Sequence, residues 1–247
     1  DIVRFLSYID RRIKKYIRAK KKLISLLEEY KQAIINQAVT GQIDVRTGKP
    51  YPAYKDSGVD WLGEIPEHWK ITNLMRLTDR IGDGLHGTPQ YISSSECYFI
   101  NGNNLSDGYI EITSSTNSVS EKDIIKQGLN LNESTLLLSI NGTIGKVALY
   151  HGEKILLGKS AAYINCKDTL QRTFLMRYLQ SNQVHSYYSL ASTGTTIRNL
   201  SLAAIRKLPA LDISASDQES IVLYIKKKIS ECNTNISQIR KQIGIME

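Results

Sequence analysis

The sequence predicts an α+β protein: one globular mixed α/β domain flanked by two long helices packed as an antiparallel coiled coil. Three observations predict it. The first 39 residues contain no Pro and no Gly and carry apolar residues at steps of four and three. The last 30 or so repeat that pattern, and the stretch between is broken by Gly, Asn and Ser into short apolar runs typical of strands and turns.

The first helix is expected from Ile2 to about Val39. Its apolar seam runs Ile2, Leu6, Ile9, Ile13, Tyr16, then Leu23, Leu27, Tyr30 and Ile34, broken once at Lys20. Such a helix is roughly 55–60 Å long and cannot bury its stripe alone. Thr40-Gly41 ends it, since Gly is favoured just past a helix C-terminus. The chain opens at Asp1 already inside the helical pattern, with no cap sequence ahead of it, so residues are expected to have preceded it. The distal helix is expected from about Ser216 to Met246, capped by Ser216 or Asp217. Its seam is Ile221, Ile225, Ile229, Cys232, Ile236, Ile239, Ile243 and Met246. The two ends also resemble each other, "IVRFLSYIDRRIKKY" against "IVLYIKKKISECN", which suggests a duplicated helix–domain–helix unit.

Residues 41–70 form a Gly/Pro/aromatic connector that must pack, because Trp61 and Trp69 are too large for a flexible tether. Strands are expected at Cys97–Ile100, Tyr109–Ile112, Thr135–Ile140, Val147–Tyr150 and Ala161–Ile164. A helix is expected over Gln171–Gln180 or further, and a short one after Asn199 with Ser201 as its cap. The division is therefore 1–40 for the first helix, 41–70 for the connector, 71–212 for the globular domain and 213–247 for the distal helix.

Composition narrows the function class. The formal net charge is +8 and the pI about 9.2, which favours a polyanionic partner. Cys97, Cys166 and Cys232 are scattered, as are His68, His86, His151 and His185, so neither a zinc site nor a disulfide framework is expected and the cytoplasm is the natural compartment. No apolar run approaches the length of a membrane span, and no signal sequence opens the chain. Gly82-Asp-Gly84-Leu-His-Gly87 matches G-x-G-x-x-G but lacks the buried strand before it and the helix after it that dinucleotide binding requires. Gly152 to Ser160 imitates a P-loop with one residue too many, and its interior "KILL" reads as a strand. No arrangement of His, Ser and carboxylate asks to be read as an active site.

Four polar loops invite a binding role: residues 82–91, 101–109, 139–146 and 192–201. Asn and Gln pair bidentately with adenine, Arg and Lys with guanine, and Thr methyls touch the thymine methyl. Each loop by itself is also an ordinary turn. The basic run Arg11–Lys22 surrounds the seam without forming a one-sided stripe, which favours a solvated or protein-contacting face over a phosphate track.

Two longer segments are more telling. "YKDSGVDWLGEIPEHWK" (Tyr54–Lys70) resembles the junction before a target recognition domain in type I restriction–modification specificity subunits, and "LLEEYKQAIINQAVTGQID" (Leu26–Asp44) resembles the end of their central helix. The phrases "GLHGTPQY", "NGTIGK" and "GTTIRNLSLAAIRKLP" are similar to ones such domains carry. The resemblance implies a non-catalytic subunit that binds double-stranded DNA and reads one half of a bipartite site. The helices would act as a ruler and dock methyltransferase subunits and a restriction subunit. S-adenosylmethionine, ATP and Mg would reside on those partners, with no cofactor on this chain. A full family member has two recognition domains and this chain has one, so it is either part of a longer subunit or half of a homodimer. It also has Asp217-Gln218 where the family often has a Pro-rich phrase ending in Glu-Gln. The candidate base or phosphate contacts are His86, Thr88, Gln90, Asn103, Asn104, Asn141, Thr143, Lys146, Thr195, Thr196, Arg198 and Asn199. The helix-pair seam is assigned to Leu6, Ile9, Ile13, Leu23, Leu27, Ile225, Ile229, Ile236, Ile239 and Ile243. The alternative is a coiled-coil protein–protein adaptor with no DNA readout.

Overall fold

The structure, a computed structural model, describes residues 1–93, 95–194 and 197–245. Helix α1 spans Ile2–Val39 and is closed by Thr40. The chain then forms β1 (Tyr54–Asp56), β2 (Glu64–Pro66), β3 (Lys70–Asn73) and β4 (Thr78–Asp83). It continues through β5 (Tyr98–Ile100), β6 (Leu105–Ser106), β7 (Tyr109–Ile110), α2 (Glu121–Gln127), β8 (Thr135–Ser139) and β9 (Val147–Leu149). Next come β10 (Ile155–Leu157), β11 (Ala161–Cys166), α3 (Arg172–Leu179), α4 (Asn182–Ala191), α5 (Leu202–Lys207), β12 (Pro209–Asp212) and α6 (Ala215–Gly244).

The domain is built on a four-stranded antiparallel sheet of order β4-β11-β8-β9. Residues of β8 and β11 are buried on both faces, which explains why "TLLLSI" and "AAYINC" read as unbroken apolar runs and not as alternation. Smaller pairs surround it: β5 with β10 in parallel, and β6–β7, β3–β12 and β1–β2 antiparallel. The connector residues 41–70 thus hold a short hairpin of their own. Trp69 is fully buried and the Trp61 ring packs, tilted, on that of Tyr187 with centres 5.6 Å apart. Sequence periodicity missed β1–β4, β6, β12 and the seven-residue α2, because elements this short or, like β4, this mixed in polarity carry almost no period.

The two long helices pack against one another. The last turns of α1 (Ile34, Ile35, Ala38, Val39) and the first turns of α6 (Ile221, Ile225) enter the same core as Trp69, Phe174 and Tyr178. One helix therefore runs into the domain and the other runs out, antiparallel. Ser214 caps α6 by accepting the Asp217 N–H at 3.1 Å, and the Asp217 carboxylate accepts the Ser214 hydroxyl at 2.8 Å. The cap thus lies two residues before Ser216. Asp217 stands in the first turn instead of at the cap, where its charge is favoured near the helix N-terminus. Arg46, just past α1, pairs with the same carboxylate at 2.8 Å and so ties the two helices together at the domain end. Gln218 is buried and satisfied three times over. Its amide N–H groups donate to the Thr169 and Ile213 carbonyls, and its Oε1 accepts the Gln171 N–H.

The seam differs from the heptad reading. On α6, Ile225, Ile236, Ile239 and Ile243 are buried and Ile229 is half-buried. On α1, Ile9 and Leu27 are half-buried, but Leu6 is 59% exposed, Leu23 41% and Ile13 36%. The face turned to α6 runs through Ile17, Lys20, Ile24, Leu27 and Lys31 to Ile34 and Ala38. Lys20, read from sequence as a break, lies half-buried on this face with its ammonium 5.2 Å from the Tyr16 ring centre. The covered face still repeats every seven residues: it keeps the Lys20, Leu27 and Ile34 positions and takes Ile17, Ile24 and Lys31 in place of Tyr16, Leu23 and Tyr30. With Ile229 beside Lys31, α6 ends at Gly244 about level with Ile17, so α1 runs on past it by roughly 20 Å and Leu6 has no α6 to meet. Met246 lies outside the described residues. A second apolar line stays bare along α1: Phe5, Tyr8, Tyr16, Leu23, Leu26 and Tyr30. Among the described residues no helix is long and apolar enough to cross a membrane, and no group of three His, Cys, Asp or Glu side chains could hold a metal ion.

Candidate nucleic-acid interface

Three of the four polar loops meet at one end of the sheet, gathered by the β10–β11 connection. The loop after β4 lies along that connection. Leu85 N–H donates to Leu157 O at 2.7 Å, and Lys159 N–H donates to Leu85 O at 3.0 Å. The approach is so close that a Cβ on Gly84 would stand 2.1 Å from the Leu157 carbonyl oxygen. That steric demand, not a dinucleotide phosphate, accounts for this glycine of the G-x-G-x-x-G match. The β8–β9 loop is braced by Ser139, whose hydroxyl donates to Thr143 O at 2.7 Å and accepts the Lys146 N–H at 2.8 Å. It meets the connection where Ile140 N–H donates to Ser160 O at 2.9 Å and the Asn141 amide approaches Lys159 O at 3.5 Å.

The loop between α4 and α5 closes the other side. Thr193 and Asn199 exchange both backbone hydrogen bonds, at 2.9 and 2.8 Å. Gly142 N–H donates to Arg198 O at 3.1 Å, and Leu200 N–H to Ile140 O at 2.9 Å. Ser201 then caps α5 by accepting the Ala204 N–H at 3.1 Å. Between these segments lies a cleft of ≈ 340 Å³ walled in part by Asp83, His86, Asn141, Lys159 and Asn199. His86 projects into solvent and its Nε2 lies 2.9 Å from the Asp83 carboxylate.

The candidates fall into distinct groups. His86, Asn141 and Asn199 share this cleft, and the exposed Arg198 sits beside it on the hairpin. Thr88, Gln90 and Thr143 are exposed on the same loops. Thr195 and Thr196 lie outside the described residues. The loop at 101–109 joins from behind: Ser160 Oγ donates to Asn101 Oδ1 at 2.8 Å and accepts the Gly102 N–H at 2.9 Å. There Asn103 is exposed, but Asn104 spends its side chain on the chain itself, accepting the Asn101 N–H at 3.0 Å. Lys146 belongs elsewhere. It lines a groove between domain and helix pair with Lys31, Gln32, Asp107 and His185. Lys159 is the cleft residue that sequence reading passed over. Its one signal was the Gly158-Lys159-Ser160 triplet, set aside as a false P-loop because Ile155–Leu157 reads as a strand, which it is.

The arrangement suits recognition. Asn141, Arg198 and Asn199 carry the side-chain types that pair with base edges, and Lys159 offers a charge for a phosphate. The buried titratable groups lie away from it. Burial pushes the Tyr178 phenol far above its usual value and, with the neighbouring Tyr178 and Tyr187 phenols, does the same to Tyr188; it pushes the Cys166 thiol up to about 12 despite the opposing charge of Arg172.

Comparison with known proteins identifies the fold and the family. Among solved structures, the chain is similar to one from work on complex assembly and conformational transition of the type I R-M system, with a TM-score of 0.67 at 14% identity. The match covers 99% of this chain and 55% of that one. The HsdS subunit from Thermoanaerobacter tengcongensis gives 0.57 at 13% identity, covering 99% and 56%. A putative type I restriction enzyme MjaX specificity subunit from Methanocaldococcus jannaschii is 26% identical over 196 residues, 75% of this chain and 44% of that protein. The chain thus spans about half the length of the relatives it matches. The profile of the type I restriction modification DNA specificity domain matches residues 91–244, which include most of the cleft and all of α6, and the chain belongs to that family.

Proposed function

We propose that this chain is a non-catalytic recognition module that binds double-stranded DNA sequence-specifically, reads one half of a bipartite site, and scaffolds methyltransferase subunits and, where present, a restriction subunit. The observation that carries this reading is the convergence of His86, Asn141, Lys159 and Asn199 on one braced cleft, with Arg198 exposed beside it, in a chain with net charge +8. Phosphate contacts would set the register, and each good bidentate base contact would discriminate by about 1–3 kcal/mol. The helix pair would fix the distance to a second recognition domain, supplied by a longer subunit or by a second copy of this chain. S-adenosylmethionine, ATP and Mg would be carried by partner subunits, in the cytoplasm.

The scaffold role is supported by the bare line of Phe5, Tyr8, Tyr16, Leu23, Leu26 and Tyr30 on α1. A helix with one stripe against α6 and another left open has room for a further helix. Competition binding tests the DNA reading. Binding to a selected duplex should survive excess random DNA and fall steeply with salt. A chain that binds no duplex preferentially, yet still captures its protein partners, is a coiled-coil adaptor and the proposal fails.

A further inference from the structure

We infer that Ile197 is an apolar base contact, placed to touch the 5-methyl group of a thymine in the half-site. The inference rests on the DNA reading above and adds the chemistry of one contact. Ile197 is 66% exposed and stands on the hairpin closed by Thr193 and Asn199, immediately before Arg198. The hairpin is held firmly at its base. Besides the Thr193–Asn199 exchange, the Arg198 carbonyl accepts the Gly142 N–H at 3.1 Å, and Asn199 bridges to Asn141 in the neighbouring loop. The backbone of Ile197 also packs against Gly194, whose φ is 96° and where a Cβ would lie 2.3 Å from the Ile197 carbonyl oxygen. The carbonyl side of Ile197 and the two residues after it are therefore held by these contacts, and a β-branched residue is itself stiff at χ1.

The neighbours of Ile197 give this exposure a use. Arg198 suits guanine, and Asn141 and Asn199 suit adenine. Thymine's distinctive major-groove mark is a methyl. Thr88 and Thr143 on the neighbouring loops offer one small methyl each, whereas Ile197 offers a larger apolar surface and stands next to Arg198. A lone exposed Ile is ordinary on a protein surface. One held on a braced hairpin between polar groups of these types is positioned to make that contact.

The experiment takes the full chain and first selects its preferred duplex from a randomised library. Each thymine of that duplex is then replaced by deoxyuridine, which removes only the methyl, and affinity is measured for the unsubstituted chain, Ile197→Ser and Ile197→Val. One position should cost the unsubstituted chain about three- to tenfold, cost Ile197→Ser nothing further, and recover its methyl dependence in Ile197→Val. If no position separates Ile197→Ser from the unsubstituted chain, or if Ile197→Ser weakens every duplex equally, the contact does not exist. If Ile197 instead bends the duplex without methyl dependence, seen as bending lost in Ile197→Ser, it is a wedge and the inference is overturned. Selection that yields no preferred duplex overturns the DNA reading itself and takes this contact with it.

Discussion

Truncating Ile236 to Ala tests which faces of the two helices meet. The antiparallel register is set at two points. Arg46 reaches Asp217 where the helices enter the domain, and Ile229 lines one groove with Glu28, Lys31 and Ile35. Two turns further out on α6 stands Ile236, and two turns back on α1 stand Leu23 and Ile24. These neighbours differ by about 100° around the helix, and it is Ile24 that turns inward, half-buried, while Leu23 is 41% exposed. Ile236 is 4% exposed, so losing its outer carbons forfeits about 2 kcal/mol of transfer energy plus a cavity term. The open flanks of a two-helix seam let that cavity partly collapse, which places the cost at about 2–3 kcal/mol, the low end of the range for such truncations. Leu23→Ala removes a side chain already largely wet and should cost less than about 1 kcal/mol. For a chain of this size each kcal/mol lowers the melting temperature by about 2–4 °C. Thermal melts followed by far-UV circular dichroism should therefore show a drop of about 4–12 °C for Ile236→Ala and a small one for Leu23→Ala. Amide exchange in the outer half of α6 should accelerate only in the first. Equal losses, or a larger one at Leu23, would mean that the frame through Tyr16, Leu23 and Tyr30 is the true seam.

Other substitutions separate the remaining roles. Leu23→Asp should leave the isolated chain folded and abolish co-purification with methyltransferase subunits; normal assembly would remove the case for docking on the open α1 line. Arg198→Ala should weaken DNA binding and reduce the slope of log affinity against log salt by about 1 if Arg198 neutralises a phosphate, or relax discrimination at one base pair if it reads a base. An unchanged slope together with unchanged specificity would leave that hairpin a structural turn. Gln218→Ala removes three hydrogen bonds and strands the buried Ile213 carbonyl, while the exposed Gln171 and Thr169 can turn to water, and should cost about 1–3 kcal/mol by urea denaturation. The Cys166 thiol, held near 12 by burial, is almost wholly protonated at pH 8, so the folded chain should resist iodoacetamide at this residue and lose that protection in urea. Modification at equal rates in both states would contradict its burial.

The long helices were legible in sequence because their evidence is redundant: no Gly or Pro, many apolar repeats, and Gly only at the end. The short strands were not, since β1, β2 and β3 owe their existence to partners and not to a pattern of their own. The polar loops could be named one by one from turn chemistry, but nothing local told which would meet. His86, Asn141 and Asn199 are far apart in the chain, and Lys159 was hidden inside a misleading motif. Asn104 and Lys146 carry the right chemistry on the right loops, yet one is spent on a backbone N–H and the other lines a different groove.

The sequence by itself determined that two amphipathic rods enclose a compact mixed domain, because helix period and breaker residues act over a few neighbouring positions. Tertiary structure alone decided which stripe of α1 is covered and which polar loops share a cleft. Those outcomes depend on how far one helix outruns the other and on hydrogen bonds between segments more than fifty residues apart, and neither leaves a local trace in composition or spacing.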